Sequence, residues 1–132
     1  MNYQWSDVWL LQSIIMAAGR AGATLEAIIS VGDFLNHALF SEYELESGIE
    51  KLIEGKLISQ KGKNFFPTAQ AIKLLQKAKE HNVTNNFKIR ENLEKLLGVI
   101  AQPGNSSNYS LKYNFFTSLE FREAQNRYLK SN

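Results

Sequence analysis

One stretch of the chain, residues 41–68, constrains the fold most, because it carries the start and stop signals of three consecutive elements. Ser41 and Glu44 have the spacing of a capping box, which predicts that a helix begins after Ser41. Gly55 permits the left-handed backbone that often closes such a helix. Between these signals, four apolar residues recur with a helical period and form one stripe: Leu45, Ile49, Leu52 and Ile53.

A short hairpin is predicted directly after this helix. Two apolar pairs, Leu57-Ile58 and Phe65-Phe66, flank the polar residues 60–64, whose central glycine permits a tight reversal. Pro67 disfavours helix at the residue before it, and Thr68 can cap a helix that starts immediately afterwards. The order of elements in this stretch is therefore helix, hairpin, helix.

Two further helices are predicted before this stretch. Ser6 is placed to cap a first helix that runs to about Gly19, and Thr24 to cap a second one that ends near His37. Three helices followed at once by a hairpin are the element order of a winged helix-turn-helix. The predicted fold class is thus mainly α with a small β-hairpin, an α+β fold.

The sequence divides into a winged-helix domain, residues 1–80, and a C-terminal extension of helix and strand, residues 81–132. We expect the extension to pack on the same core or to serve dimerisation. Its first predicted elements are a helix over residues 86–97 and a loop at residues 102–108. A short strand follows, in which Tyr109, Leu111 and Tyr113 alternate with polar residues, and then a last helix capped by Thr117 or Ser118.

The composition excludes several classes of function. The chain of 132 residues has no cysteine, which removes disulfide frameworks, thiolate nucleophiles and cysteine metal sites. This absence fits a reducing compartment, so we expect a cytoplasmic location. The longest apolar run is far shorter than the roughly 20 residues of a membrane helix and lacks a basic leader, so neither a membrane partner nor a signal peptide is expected.

Charge is distributed unevenly along the chain. Residues 1–54 hold two bases against eight acids, a net charge of −6, whereas residues 55–132 hold thirteen bases against five acids, a net charge of +8. This asymmetry is typical of a half that binds polyanions, or of a surface that pairs with the acidic half of a second copy. Two solvated faces without a partner are the simpler alternative.

Residues 41–75 resemble the winged-helix regulators of bacteria, of the PadR and MarR type. The shared features are a leucine-bearing helix closed by Gly55, an apolar pair, a turn at residues 61–64, an aromatic strand and a helix initiated by Thr68. Residues 9–58 are also similar to a group of uncharacterised bacterial winged-helix proteins. The resemblance implies a DNA-binding transcriptional regulator of unknown target, with double-stranded DNA as its partner and a homodimer as its assembly.

In such regulators the third helix enters the major groove and the hairpin, or wing, contacts phosphates. The resemblance therefore implies a DNA-binding role for one set of side chains on the third helix and the wing: Tyr43, Ser47, Lys51, Lys56, Lys61, Lys63 and Asn64.

The charge of the third helix argues against base reading. Its seven predicted exposed positions carry five carboxylates, one ammonium and one hydroxyl: Glu42, Glu44, Glu46, Ser47, Glu50, Lys51 and Glu54. Such a face repels the phosphate backbone. The alternative hypothesis is a protein-interaction module that does not bind DNA and contacts a basic protein surface through the following residues: Glu42, Glu46, Glu50 and Glu54.

No pattern in the sequence identifies a reaction, so we predict no enzyme activity, no cofactor and no metal site. Asp33 and His37 lie four residues apart and could face one way on a helix, but no third ligand lies at a useful spacing. A structural role for His37 at the end of the second helix is the favoured interpretation.

Overall fold

A computed structural model describes residues 2–99 and 111–131 of the chain. Within these ranges the chain forms six helices and two strands. In chain order they are α1 (Trp5–Ala17), α2 (Leu25–Asn36), α3 (Glu42–Glu54), β1 (Ile58–Lys61), β2 (Asn64–Pro67), α4 (Ala69–Ala78), α5 (Asn86–Leu96) and α6 (Ser118–Lys130).

The predicted fold class is confirmed: the protein is mainly helical with one small antiparallel sheet. β1 and β2 form the hairpin, with Ile58 opposite Pro67 and Lys61 opposite Asn64. Gly62 lies in the turn with a φ of 62°, a left-handed conformation that suits glycine. Ala23 adds an isolated bridge to Phe65, so the hairpin is tied to the loop before α2.

Four of the predicted helix starts are confirmed by N-cap hydrogen bonds. In each case the hydroxyl of the residue before the helix accepts from a backbone N–H three residues later, which satisfies one of the free donors of the first turn. The four residues are Thr24, Ser41, Thr68 and Thr117.

The predicted start of α1 is wrong by two residues. The helix begins at Trp5 and not after Ser6, because Asp7 accepts a hydrogen bond from the backbone N–H of Gln4 at 2.8 Å. A carboxylate in the first turn also suits the positive end of the helix dipole. Gln4 is thus the N-cap residue in place of Ser6, and Asp7 is the third helical residue, which accepts from the backbone of the cap as Glu44 does in α3.

The predicted role of Gly55 is also wrong. Gly55 has a φ of −78°, and the left-handed residue at the end of α3 is Lys56, with a φ of 60°. A Cβ atom at position 55 would collide with the Tyr3 hydroxyl. Glycine is therefore needed here because Tyr3 approaches the end of α3 closely, and not because of its own backbone conformation.

The strand predicted around residues 109–113 is absent from the part that the structure describes, and Tyr109 lies outside the described residues together with the loop-like residues 102–108. The backbone N–H groups of Lys112 and Tyr113 do not enter a sheet, because both donate to the carboxylate of Glu50 on α3. The alternating pattern predicted a short strand, whereas these two N–H groups bond to a single side chain.

The core is built around α1, which packs against α2, α3 and α5. Trp9 lies at its centre: its ring stacks on Phe40 with 3.7 Å between centroids, and its indole N–H donates to the carbonyl of Gly32 at 2.9 Å. Side chains of α6 belong to the same apolar cluster, among them Phe121 and Tyr128. The last helix therefore packs on the core of the first three.

Gly32→Ala is expected to lower the free energy of unfolding by about 1–3 kcal/mol, the usual cost of overpacking a core. A Cβ at position 32 would collide with the buried ring of Phe40, which is fixed by its stack on Trp9. Urea denaturation followed by circular dichroism measures the change. Gly19→Ala is the matched control, because a Cβ there meets no atom within 4 Å. Equal stability of the two variants would contradict this packing.

None of the helices in the two described ranges is both long enough and apolar enough to cross a membrane.

Candidate functional site

The residues predicted to contact DNA lie on α3 and on the hairpin, and the structure separates them into buried and exposed groups. On α3, Tyr43 is 38% exposed, but Ser47 and Lys51 are buried, each only 5% exposed. On and beside the hairpin, Lys56, Lys61 and Lys63 are exposed and Asn64 is partly buried.

Lys51 is turned into the protein and not towards solvent, which corrects the prediction of an exposed position. Its ammonium lies 2.8 Å from the carboxylate of Asp7 on α1, and both side chains are almost completely buried. The ion pair explains how a lysine can lie in the core, because each charge compensates the other away from water. Lys51 is consequently unavailable to a phosphate or a base.

Ser47 lies on the same covered side of α3, and its hydroxyl donates to the carbonyl of Tyr43 one turn earlier at 2.8 Å. Gly48 follows it, and a Cβ there would meet a methyl group of Leu10 on α1 at 2.5 Å. α3 therefore approaches α1 too closely at this level for Ser47 to reach a ligand.

The outer side of α3 is covered by residues 111–117, the segment that leads into α6 and that we call the C-terminal strap. Glu50 is fully buried beneath it, and one of its oxygens accepts from the backbone N–H groups of Lys112 and Tyr113 at 2.8 Å each. The ammonium of Lys112 also lies 3.5 Å from Glu54. The prediction that Glu50 is exposed is therefore wrong, because the strap covers it.

Two further glutamates of the predicted protein-interaction face lie at the start of α3. Glu42 accepts a hydrogen bond from the hydroxyl of Ser118, the first residue of α6. Burial, together with a hydrogen bond and charge repulsion from Glu42, raises the pKa of the Glu46 carboxyl. Both carboxylates are partly buried, so α3 does not present the open acidic face that its helical pattern predicts.

The hairpin and α4 form the more accessible charged region. Glu80 is the only acid among residues 55–83. The six lysines of that segment are all exposed: Lys56, Lys61, Lys63, Lys73, Lys77 and Lys79. We call these residues the lysine set. The Thr68 hydroxyl donates to the carbonyl of Lys56 at 2.7 Å, so the base of the hairpin lies beside the first turn of α4.

α6 reaches one side of the hairpin. The ammonium of Lys63 lies 2.8 Å from the carboxylate of Glu120. The hydrogen bond between them raises the pKa of Lys63 and lowers the pKa of Glu120. Asn64 is engaged as well, because its amide donates to the carbonyl of Ala21 at 2.8 Å. Lys56 and Lys61 are thus the more accessible hairpin residues of the predicted DNA-binding set.

The pair Asp33 and His37 lies at the C-terminal end of α2. His37 caps the helix with a left-handed backbone and is exposed, while Asp33 accepts a hydrogen bond from the hydroxyl of Tyr128 on α6. Across residues 2–99 and 111–131, no group of three or more histidine, aspartate or glutamate side chains is arranged to hold a metal ion.

Sequence reasoning missed the partners that decide which charges of α3 are available. Asp7 lies 44 residues before Lys51, and Lys112 lies 62 residues after Glu50. No local spacing links residues so far apart. The one available signal was Asp7 itself, the single charged residue of α1.

No model of a protein family matches this chain, and neither does any curated protein or any solved structure.

Proposed function

We propose that this chain is a winged-helix DNA-binding protein that holds duplex DNA through lysine–phosphate contacts and does not read bases with α3. The observation that carries the proposal is the exposure of the whole lysine set in a segment with a single acid. Cations that meet phosphates release condensed counterions, which gives affinity without sequence preference. A transcriptional role, a cytoplasmic location and a homodimer are parts of the same proposal.

The contacts of α3 support a position for this helix away from the duplex. Glu50 and Glu54 interact with the C-terminal strap, and Glu42 interacts with Ser118. α3 then acts as a structural helix between α1 and the strap, and the hairpin and α4 provide the contacts with the backbone of the duplex. The resemblance to bacterial winged-helix regulators supports duplex DNA over other polyanions.

The test is a titration of a fluorescent duplex of mixed sequence, followed by anisotropy, at several salt concentrations between about 50 and 200 mM. We expect binding that weakens steeply with salt and hardly changes with the sequence of the duplex. Lys61→Gln should reduce the slope of log affinity against log salt by about 0.9, the contribution of one phosphate contact. Lys56→Gln and Lys73→Gln should act alike.

Lys95→Gln on α5 is the matched control, since Lys95 is exposed but lies outside the lysine set. It should leave the slope unchanged, and so should Tyr43→Ala on α3. Absence of binding at the lowest salt would refute the proposal. A strong preference for one duplex sequence that is lost in Tyr43→Ala would refute it as well, because α3 would then read bases.

The protein-interaction module remains the second candidate, and the proximity of Glu42 and Glu46 favours it. Burial and the neighbouring Glu42 carboxylate raise the pKa of Glu46. The two carboxylates repel each other, and a cation bound between them would relieve this repulsion. A lysine-rich peptide is the suitable probe. Under this hypothesis the peptide binds and Glu46→Gln weakens it, whereas under the DNA hypothesis Glu46→Gln changes neither peptide nor DNA binding.

A further inference from the structure

The carboxylate of Glu120 lies where the start of α6 meets the hairpin, and both of its oxygens have partners. One oxygen, Oε1, accepts from the backbone N–H of Thr117 at 2.8 Å, and the other, Oε2, lies 2.8 Å from the ammonium of Lys63. The bond to Thr117 belongs to the capping box of α6, so it exists independently of the hairpin. Glu120 is therefore a carboxylate that the start of the helix already fixes beside Lys63.

α6 is held in its place beside the hairpin by contacts on both sides of its first turn. Near the end of the helix, the hydroxyl of Tyr128 donates to the carboxylate of Asp33 on α2. Before its start, the carbonyl of Phe115 in the C-terminal strap accepts from the side-chain amide of Gln60 on β1 at 3.3 Å. The first turn of α6, with its carboxylate, therefore stays next to the hairpin.

Lys63 differs from the rest of the lysine set in its electrostatic surroundings. Within residues 2–99 and 111–131, it is the one member with a carboxylate at ion-pair distance. The hydrogen bond from Lys63 to Glu120 raises the pKa of the ammonium, and the negative charge of Glu123, one turn further along α6, adds to this effect. The side chain of Lys63 is nevertheless 86% exposed, so a phosphate can approach it.

We propose that Glu120 competes with DNA phosphates for the ammonium of Lys63 and thereby limits the affinity of the protein for DNA. This inference rests on the proposed function, because it concerns the same lysine set. A phosphate that takes the place of Glu120 must break the ion pair. A phosphate that binds another N–H of the ammonium lies close to a carboxylate of its own sign, and the two repel each other. In both arrangements α6 weakens the contact between the hairpin and the duplex.

Glu120→Gln should therefore raise the affinity for the mixed-sequence duplex by about twofold to fivefold, the range of one exposed ion pair. It should also steepen the slope of log affinity against log salt by up to about 0.9, because one further phosphate contact forms. Glutamine can take the place of glutamate in a capping box, so the start of α6 is preserved. Glu91→Gln is the matched control, since it removes a carboxylate paired with Lys88, outside the lysine set, and should leave the affinity nearly unchanged.

A double-mutant cycle shows whether the gain acts through Lys63. Lys63→Gln alone should reduce the salt slope by clearly less than Lys61→Gln does, because its phosphate contact is already weak. Added to Glu120→Gln, it should remove the gain in affinity. If Glu120→Gln raises the affinity equally with and without Lys63, the carboxylate repels the duplex in general and the proposed competition is overturned.

Two measurements distinguish a failure of this inference from a failure of the proposed function. Without DNA, Lys63→Gln should raise the pKa of the Glu120 carboxyl in an NMR titration, because the hydrogen bond from Lys63 lowers that pKa. An unchanged pKa overturns the competition but not DNA binding. With DNA, binding by the unmodified protein that Glu120→Gln does not strengthen overturns only the inference. Binding by Glu120→Gln alone supports the inference and refutes the proposed function for the unmodified chain, and absence of binding by both proteins refutes the two together.

Discussion

Lys51→Met should lower the free energy of unfolding by about 3–5 kcal/mol, the cost of breaking a buried ion pair from one side. The substitution keeps the length of the side chain and removes the ammonium, so the carboxylate of Asp7 stays buried without its cation. The backbone N–H of Gln4 still donates to Asp7, but a single hydrogen bond does not replace the charge. Urea denaturation with a constant m-value measures the effect.

Lys56→Met, five residues further on and exposed, is the control and should change stability by less than about 0.5 kcal/mol. The double variant Asp7→Asn with Lys51→Met should recover much of the loss, because it removes the uncompensated charge and keeps an oxygen that can accept from Gln4. If Lys51→Met were as stable as Lys56→Met, the ammonium of Lys51 would have to lie in solvent.

Glu50→Leu should lower the free energy of unfolding by about 2–4 kcal/mol, because two hydrogen bonds to a charged acceptor are lost together. The amides of Lys112 and Tyr113 both donate to the same carboxylate oxygen, so they lose their acceptor at once. The C-terminal strap should then leave α3. Hydrogen exchange of these two amides should become fast while the amides of α1 remain protected.

Glu50→Gln is the matched control, because its carbonyl oxygen can still accept from both amides and only the charge is lost. We expect a loss of about 1 kcal/mol and near-normal protection of the strap. Fast exchange of the two amides already in the unmodified protein would contradict the contact on which this prediction depends.

The sequence predicted the structure correctly where the interacting residues lie close together in the chain. Thr24, Ser41, Thr68 and Thr117 were predictable as caps because each one bonds to an N–H three residues away. The hairpin was predictable because its turn glycine and flanking apolar pairs are contiguous. The same local signals predicted the fold class, while the winged-helix assignment stays a prediction.

The candidate site was less predictable, because its chemistry depends on distant contacts. A helical wheel gives α3 one covered side, the stripe of Leu45, Ile49 and Leu52, and leaves Glu50 and Lys51 outside it. In the structure α3 is covered on two further sides as well, by α1 at Lys51 and by the strap at Glu50. Hydrophobic periodicity cannot identify charged residues that are buried because a distant ion-pair or hydrogen-bond partner compensates them.

The contact between Glu50 and the strap also bears on how the chain reaches its native state. Its partners are separated by more than 60 residues, so the loop that joins them must close before the bonds form. During synthesis α3 is complete long before Lys112 and Tyr113 exist, and until then the carboxylate of Glu50 has water as its partner. We therefore expect the last step of folding to be the arrival of the C-terminal strap, with the apolar contacts of α1, α2 and α3 already formed.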